Sequence, residues 1–510
     1  MKSSSLSLIA GTVALAAVTG FAALTAPGDK EAAQAKTATR LPVERSSLLC
    51  PAPGLSDLAE TTYTSVTPAG GSGGGEAGTA ELRNTTATTA DGGKKTEKDQ
   101  KDQKGKEKAD PGKPVLSLKE PGKPVTAEAS GSDAPALVGT ATGRLAPGWA
   151  TQQTTMVEAG GARGLLGVSC TRPGTNYWFP AASTAKSRED YVHLTNPDDT
   201  AAVADIELYG PDGSLKSDVG EGITVPAHSS VPVLISTLTS EAAEDVTVHV
   251  TTRTGRVGAV VRSAEDGVGS DWLAASVDPS GTVVLPGIPA DATSVRLVAF
   301  APGDGDADLK VKLLGKTGAI SPVGHEDIHV KSRMTSGIDL KDITKGEPGS
   351  LLLTPAGGGK GTPVVAALRV VRGTGDKQEV AYIPATGPVG ARATVADNRD
   401  KGSVLSLTAP GATATVKVTA SAGSGGGEQS VKEYTVKGGT TLAVTPPVPS
   451  GLKGGYALTV ETESGGPVHA ARTLTVTQNG VQMFTVQTLP DDHGTVEVPA
   501  AEQDLSVLGD

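Results

Sequence analysis

Beyond residue 178 the chain is a succession of short stretches in which apolar and polar residues alternate with a period of two. Ala204-Asp205-Ile206-Glu207-Leu208-Tyr209 stops at Pro211-Asp212-Gly213, and Asp308-Leu309-Lys310-Val311-Lys312-Leu313 stops at Gly315. Alternation over four to eight residues, punctuated by Gly, Pro and Asp, is the pattern of strands with one face buried. After residue 30 no stretch carries a helical period, so the chain reads as all-β.

The pattern repeats. An apolar pair before proline opens successive units at Trp178-Phe179-Pro180, Val284-Leu285-Pro286 and Tyr382-Ile383-Pro384. Each unit continues with two alternating segments around a turn, and then a third: Gly222 to Pro226, Asp327 to Lys331 and Glu433 to Lys437. Each ends on a hairpin that carries Arg262, Arg369 or Arg472. About seven short strands in roughly 100 residues predict tandem immunoglobulin-like β-sandwich modules. The expected modules span 178–283, 284–381 and 382–490, followed by a tail at 491–510. A divergent first module is expected over 40–177, opening near Cys50 and closing at Gly164-Leu165-Leu166-Gly167-Val168-Ser169-Cys170.

Within that first module, residues 68–135 read as a disordered insert. They include a Gly-rich run, the mixed-charge run Lys94 to Lys108 and the repeated Pro111-Gly112-Lys113-Pro114-Val115 and Pro121-Gly122-Lys123-Pro124-Val125. Such composition buries too little apolar surface to offset the entropy of ordering. Mixed signs make the charged run a solvated spacer rather than a polymer-binding arm.

The other end of the pattern is a continuous one. Leu6 to Ala26 is 21 residues without a charge, following Met1-Lys2. That length spans a hydrocarbon core as a helix, and it exceeds the usual apolar core of a signal peptide. Residues 1–28 are therefore a signal peptide or a signal-anchor helix, and in both cases the remainder is extracytoplasmic, either secreted or held at the membrane by that helix.

Composition narrows the function classes. Of 510 residues, 66 are Gly and only 3 Trp, 7 Tyr and 4 Phe, which predicts cores of small and β-branched side chains. A net charge of −11 argues against nucleic acid as a partner, because that affinity comes largely from Lys and Arg. The two cysteines, Cys50 and Cys170, would lie on the opening and closing strands of one module and are expected to form a disulfide in an oxidising compartment.

The one catalytic-looking motif is His325-Glu326-Asp327-Ile328-His329, an H-E-x-x-H pattern. In zinc peptidases it sits on a helix, which puts both histidines on one face. Here it aligns with strand segments of the other units, and on a strand the two histidines stand about 13 Å apart. Gly357-Gly358-Gly359-Lys360-Gly361-Thr362 lacks the first Gly of a phosphate loop and reads as a hairpin turn. No catalytic residue, metal ligand or cofactor is assigned, and the chain is expected not to be an enzyme. Tyr177, Trp178 and Trp272 are candidate glycan-contact aromatics, since exposed rings stack on sugars; the competing reading is that they fill a core or a module interface. For Arg262, Arg369 and Arg472 a structural pairing repeated once per unit is the simpler expectation.

An N-terminal anchor, an early Cys50-Pro51, a long variable insert, Gly164 to Cys170, Trp178-Phe179-Pro180, Leu194-Thr195-Asn196-Pro197 and Leu208-Tyr209-Gly210-Pro211-Asp212-Gly213 together resemble an uncharacterised actinobacterial family of secreted or membrane-anchored proteins, catalogued as a domain of unknown function. The resemblance supplies no catalytic residues. Because members are encoded near an envelope-type glycosyltransferase, it implies a non-enzymatic structural, adhesive or accessory role in cell-envelope glycan assembly, with cell-wall glycan or that glycosyltransferase as partner. A glycan-active enzyme or regulatory subunit with a site at a module junction is the alternative.

Overall fold

Val, Thr, Leu and Ala in alternation with polar residues form strands throughout the computed structural model, which describes residues 39–54, 56–70, 77–87, 113–217 and 219–499. Among them no helix is long and apolar enough to cross a membrane. The anchor expected at residues 1–28 lies outside the described residues, as does most of the tail.

The unit Pro42–Thr495 holds four β-sandwich modules built on one plan. The third shows it most plainly, with strands Val283–Ile288, Ala292–Phe300, Ala307–Leu314, Asp327–Val330, Thr335–Asp339, Gly349–Pro355, Val365–Arg372 and Glu379–Pro384. The first, sixth and third pair in one sheet with the fourth on the third, while the fifth, second, seventh and eighth make the other. The first module, Arg45–Cys50 to Gly164–Ser169, repeats this order. So do the second, Asn176–Ala182 to Gly269–Leu273, and the fourth, Ala393–Asn398 to Val481–Thr488. Immunoglobulin constant domains instead pair their first two strands in one sheet, so the sandwich architecture is shared and the strand order is not. Thr39–Pro42 pairs with Thr495–Val498 in a separate two-stranded ribbon.

Two expectations are corrected. The stretch 68–135 is not wholly an insert: Ala80–Asn84, Pro114–Leu118 and Val125–Ser130 are the third, fourth and fifth strands of the first module. Leu82, Leu116 and Leu118 enter its core beside Trp149 and Tyr63. The low-complexity residues between these strands hid their alternation, and residues 71–76 and 88–112 lie outside the described residues. Second, Tyr382-Ile383-Pro384 does not open the fourth module but ends the third, on an edge strand where proline is tolerated.

The opening strands of the second, third and fourth modules share a bulge. Register shifts fall at Pro180/Ala182, Leu285/Ile288 and Val395/Asn398. Each bulge has a residue at positive φ: Ala181 at 78°, Gly287 at 88° and Asp397 at 54°. The fourth module has Ala396 where the others have proline, so its opening carries no proline signal.

The second and third modules share their cores with a neighbour, whereas the main cores of the first and fourth are built from their own residues and meet the others through smaller clusters. The core of the second takes in Val298, Ala367, Val371, Val380 and Tyr382 of the third. That of the third takes in Ala471, Phe484 and Val486 of the fourth. Leu166 and Val168 of the first pack on Val260 and Trp272 of the second, and Leu165 of the first on Leu474 and Met483 of the fourth. Contact thus runs 1–2, 2–3, 3–4 and 4–1, a closed ring with the four eighth strands side by side around its middle.

Candidate functional site at the junction of the second and third modules

Sharing of cores brings charged side chains together where one sheet covers the next module. In the second module the chain leaves its opening bulge at Ala181, turns through Ser183 to Ser187 and enters its second strand at Arg188. That turn faces the outer side of the third module's sheet, which presents Arg296 and Arg369. Between them lies a cavity of about 150 Å³, lined also by Asp245, Glu265 and Val298.

Its walls are held by ion pairs. Arg188 donates through Nε to Asp190 Oδ1 at 3.1 Å and through Nη2 to Oδ2 at 2.8 Å. Arg369 donates through Nε and Nη2 to Glu265 Oε2 at 2.9 and 2.6 Å. Arg296 donates through Nε and Nη2 to Asp245 at 2.7 and 2.5 Å. The latter two pairs cross the module boundary. Burial works against the charge on Arg188, but Asp190, Tyr382 and Glu265 together outweigh it and hold the guanidinium above its ordinary pKa. Arg296 is raised chiefly by its hydrogen bonds to Asp245. Such pairs fix geometry, because removing one partner would strand a buried charge.

A second polar cluster occupies the middle of the ring. Asp271 is fully buried and accepts from the backbone N–H of Gly167 and Trp272 and from Thr485 Oγ1, so three modules meet on one carboxylate. Burial pushes its pKa well up despite those bonds. Glu379 accepts from Arg163 Nε at 2.9 Å, and burial, partly offset by that guanidinium, pushes it up to about 7.

The residues singled out from the sequence are placed as follows. Cys50 and Cys170 are joined in a disulfide that ties the first module's opening and closing strands. The glycan-contact reading of the aromatics is corrected. Trp178 is only 8% exposed, stacks on His249 at 3.6 Å between ring centroids and packs against Phe300 of the third module. Trp272 is 2% exposed and meets His193 edge-on. Tyr177 spends its hydroxyl on the carbonyls of Val257 and Arg172. The two tryptophan rings fill seams between modules, Trp178 against the third and Trp272 against the first, whereas Tyr177 is half-buried against the second module's core. Asp327–Val330 of the H-E-x-x-H stretch is strand, with His329 turned to Asp308 at 2.7 Å.

The three arginines do not share one role. Arg369 reaches Glu265 of the preceding module, and Arg262 stacks over the Tyr191 ring at 5.0 Å. Arg472 lies opposite Leu405, on the face turned into its own module, and donates only to Ala396 O. Fully buried with Nε and Nη1 unpartnered among the described residues, it is lowered by burial to about 10. Of the cavity's charged residues the sequence singled out Arg369 alone. Arg296 stands between Val295 and Leu297 and reads as a solvent-facing position; nothing local says that a neighbouring module covers it.

Four sandwiches of one strand order closed into a ring define a tandem β-sandwich protein. Within that class the chain belongs to the family of unknown function DUF5719, whose model matches residues 125–447. Among curated proteins none matches. Among solved structures, one similar chain is described as a tetra-tandem repeat in the extending region of a large adhesion protein. It is 12% identical with a TM-score of 0.11, and the match covers 88% of this chain and 96% of that one. A likeness of that size adds nothing to the fold described above.

Proposed function

We propose that this is a non-enzymatic extracytoplasmic β-repeat protein, accessory to cell-envelope glycan assembly. The observation that carries this reading is the state of the junction cavity: Asp190, Glu265 and Asp245 are each paired with an arginine and the fourth carboxylate, Glu244, is exposed, an arrangement that fixes geometry rather than poising a general acid or base. The disulfide supports an oxidising compartment, since such bonds persist chiefly outside the cytosol. A ring of mutually capped sandwiches is a stiff platform on which surface contacts keep fixed spacing.

The test is retention of the purified full chain on cell-wall polysaccharide and on membrane extract, with release of reducing sugar followed in the same tubes. Retention on either without sugar release is the expected result. Sustained sugar release would transfer the protein to the alternative class, a glycan-active enzyme, and no retention on either material would remove the accessory role.

A further inference from the structure

We propose that the cavity between the second and third modules is a binding site for one neutral sugar residue of an envelope glycan. This rests on the accessory reading above and gives it a ligand class and a place.

The cavity holds unspent hydrogen-bonding groups. Arg296 and Arg369 each use Nε and Nη2 on a carboxylate, and their Nη1 groups make no hydrogen bond among the described residues. Arg188, 92% buried, directs Nη1 towards Glu265 Oε2 only at 3.7 Å. Glu265 in turn takes both bonds from Arg369 on Oε2, leaving Oε1 without one among the described residues. Three donors and an acceptor are thus held in place by pairs already formed, which is preorganisation before any ligand arrives.

Charge decides the class of ligand. The three guanidiniums face Asp190, Glu265, Asp245 and Glu244, so the site carries no excess of positive charge to attract phosphate or a uronate. Fixed donors interleaved with acceptors suit hydroxyl groups, which both give and receive. Size points the same way: about 150 Å³ is smaller than the roughly 300–1,000 Å³ of pockets for drug-sized ligands and matches a single ring. Val298 supplies an apolar wall, and Ser187 stands exposed at the mouth.

The experiment uses the full chain, with the methyl glycosides of glucose, galactose and N-acetylglucosamine as probes. Methyl glucuronide and inorganic phosphate are the charged controls. Saturation-transfer NMR and crystals soaked in each probe are read for wild type and Ser187→Trp, which blocks the mouth without entering a core. A neutral glycoside in the cavity, with affinity reduced at least about tenfold by Ser187→Trp, is the expected result. Binding of the charged controls instead, or soaked crystals with no sugar at the site, would overturn the assignment. Retention on wall polysaccharide that survives Ser187→Trp would also overturn it while leaving the accessory role standing. A second variant, Ala185→Leu, narrows the cavity from the same turn and guards against misfolding of the first; it must reduce binding too.

Discussion

Gly167 of the first module donates its backbone N–H to Asp271 of the second at 2.9 Å, inside a site sealed from water. Gly167 is there for space. A Cβ at this position would run into the Gln487 amide and the Thr485 side chain of the fourth module. Gly167→Ala is expected to lower stability by about 1–3 kcal/mol, as overpacking of a filled interior does. Urea unfolding of the two proteins checks this; an unchanged midpoint would show that the middle of the ring is loosely packed.

The disulfide closes a loop of 120 residues. On the chain-entropy estimate this stabilises the fold by at most about 5 kcal/mol. Cys50→Ala/Cys170→Ala should therefore melt markedly lower than wild type under non-reducing conditions. Differential scanning calorimetry decides it, and equal melting temperatures would contradict it.

His193 is buried with neither ring nitrogen hydrogen-bonded among the described residues, and burial, aided by Arg262, pushes its pKa down to about 3. The unfolded chain binds this proton near pH 6.5, so its contribution to stability is present above 6.5 and lost as pH falls towards 3. His193→Leu removes both the titration and two unsatisfied buried atoms. Its melting temperature should gain on wild type as pH is lowered from 8 to 5; a constant difference would refute the buried neutral imidazole.

Glu379 acts in the opposite sense. Its pKa rises from 4.5 to about 7 on folding, so its contribution is complete below pH 4.5 and is lost as pH climbs through 7. Glu379→Gln should flatten the decline of wild-type stability between pH 5 and 7. Unfolding free energies at half-unit intervals read this directly, and parallel curves would exclude it.

Because Ala471, Phe484 and Val486 of the fourth module sit in the core of the third, residues 281–386 alone should not fold. Isolated, that segment exposes an apolar sheet edge and is expected to bind a hydrophobic dye and give poorly dispersed amide resonances. A well-dispersed spectrum would show that the capping is dispensable.

How far the chain could be read without its structure follows from what alternation encodes. A period of two marks strands such as Val295 to Phe300 and says which side is apolar, and this was enough for an all-β sandwich class. It cannot say what covers the other side. Arg296 and Arg369 therefore look solvated in the sequence, although the second module lies across them. Leu82, Leu116 and Leu118 were hidden for a different reason: each stands in a five-residue strand beside low-complexity residues, which mask its alternation. The disulfide was legible because two cysteines at the ends of one unit have a single possible partner each. Trp178 and Trp272 were legible as anchors or as contacts, and only packing against Phe300 and His193 separates the two.

The capping order also bears on how such a protein can change over time. A linear array of modules tolerates gain or loss of an internal copy, since each new unit finds the same kind of neighbour. Here the sheet of the fourth module is met by the first, so a duplicated or deleted copy would leave one core uncovered and force every junction to a new angle. Copy number is thereby under geometric selection.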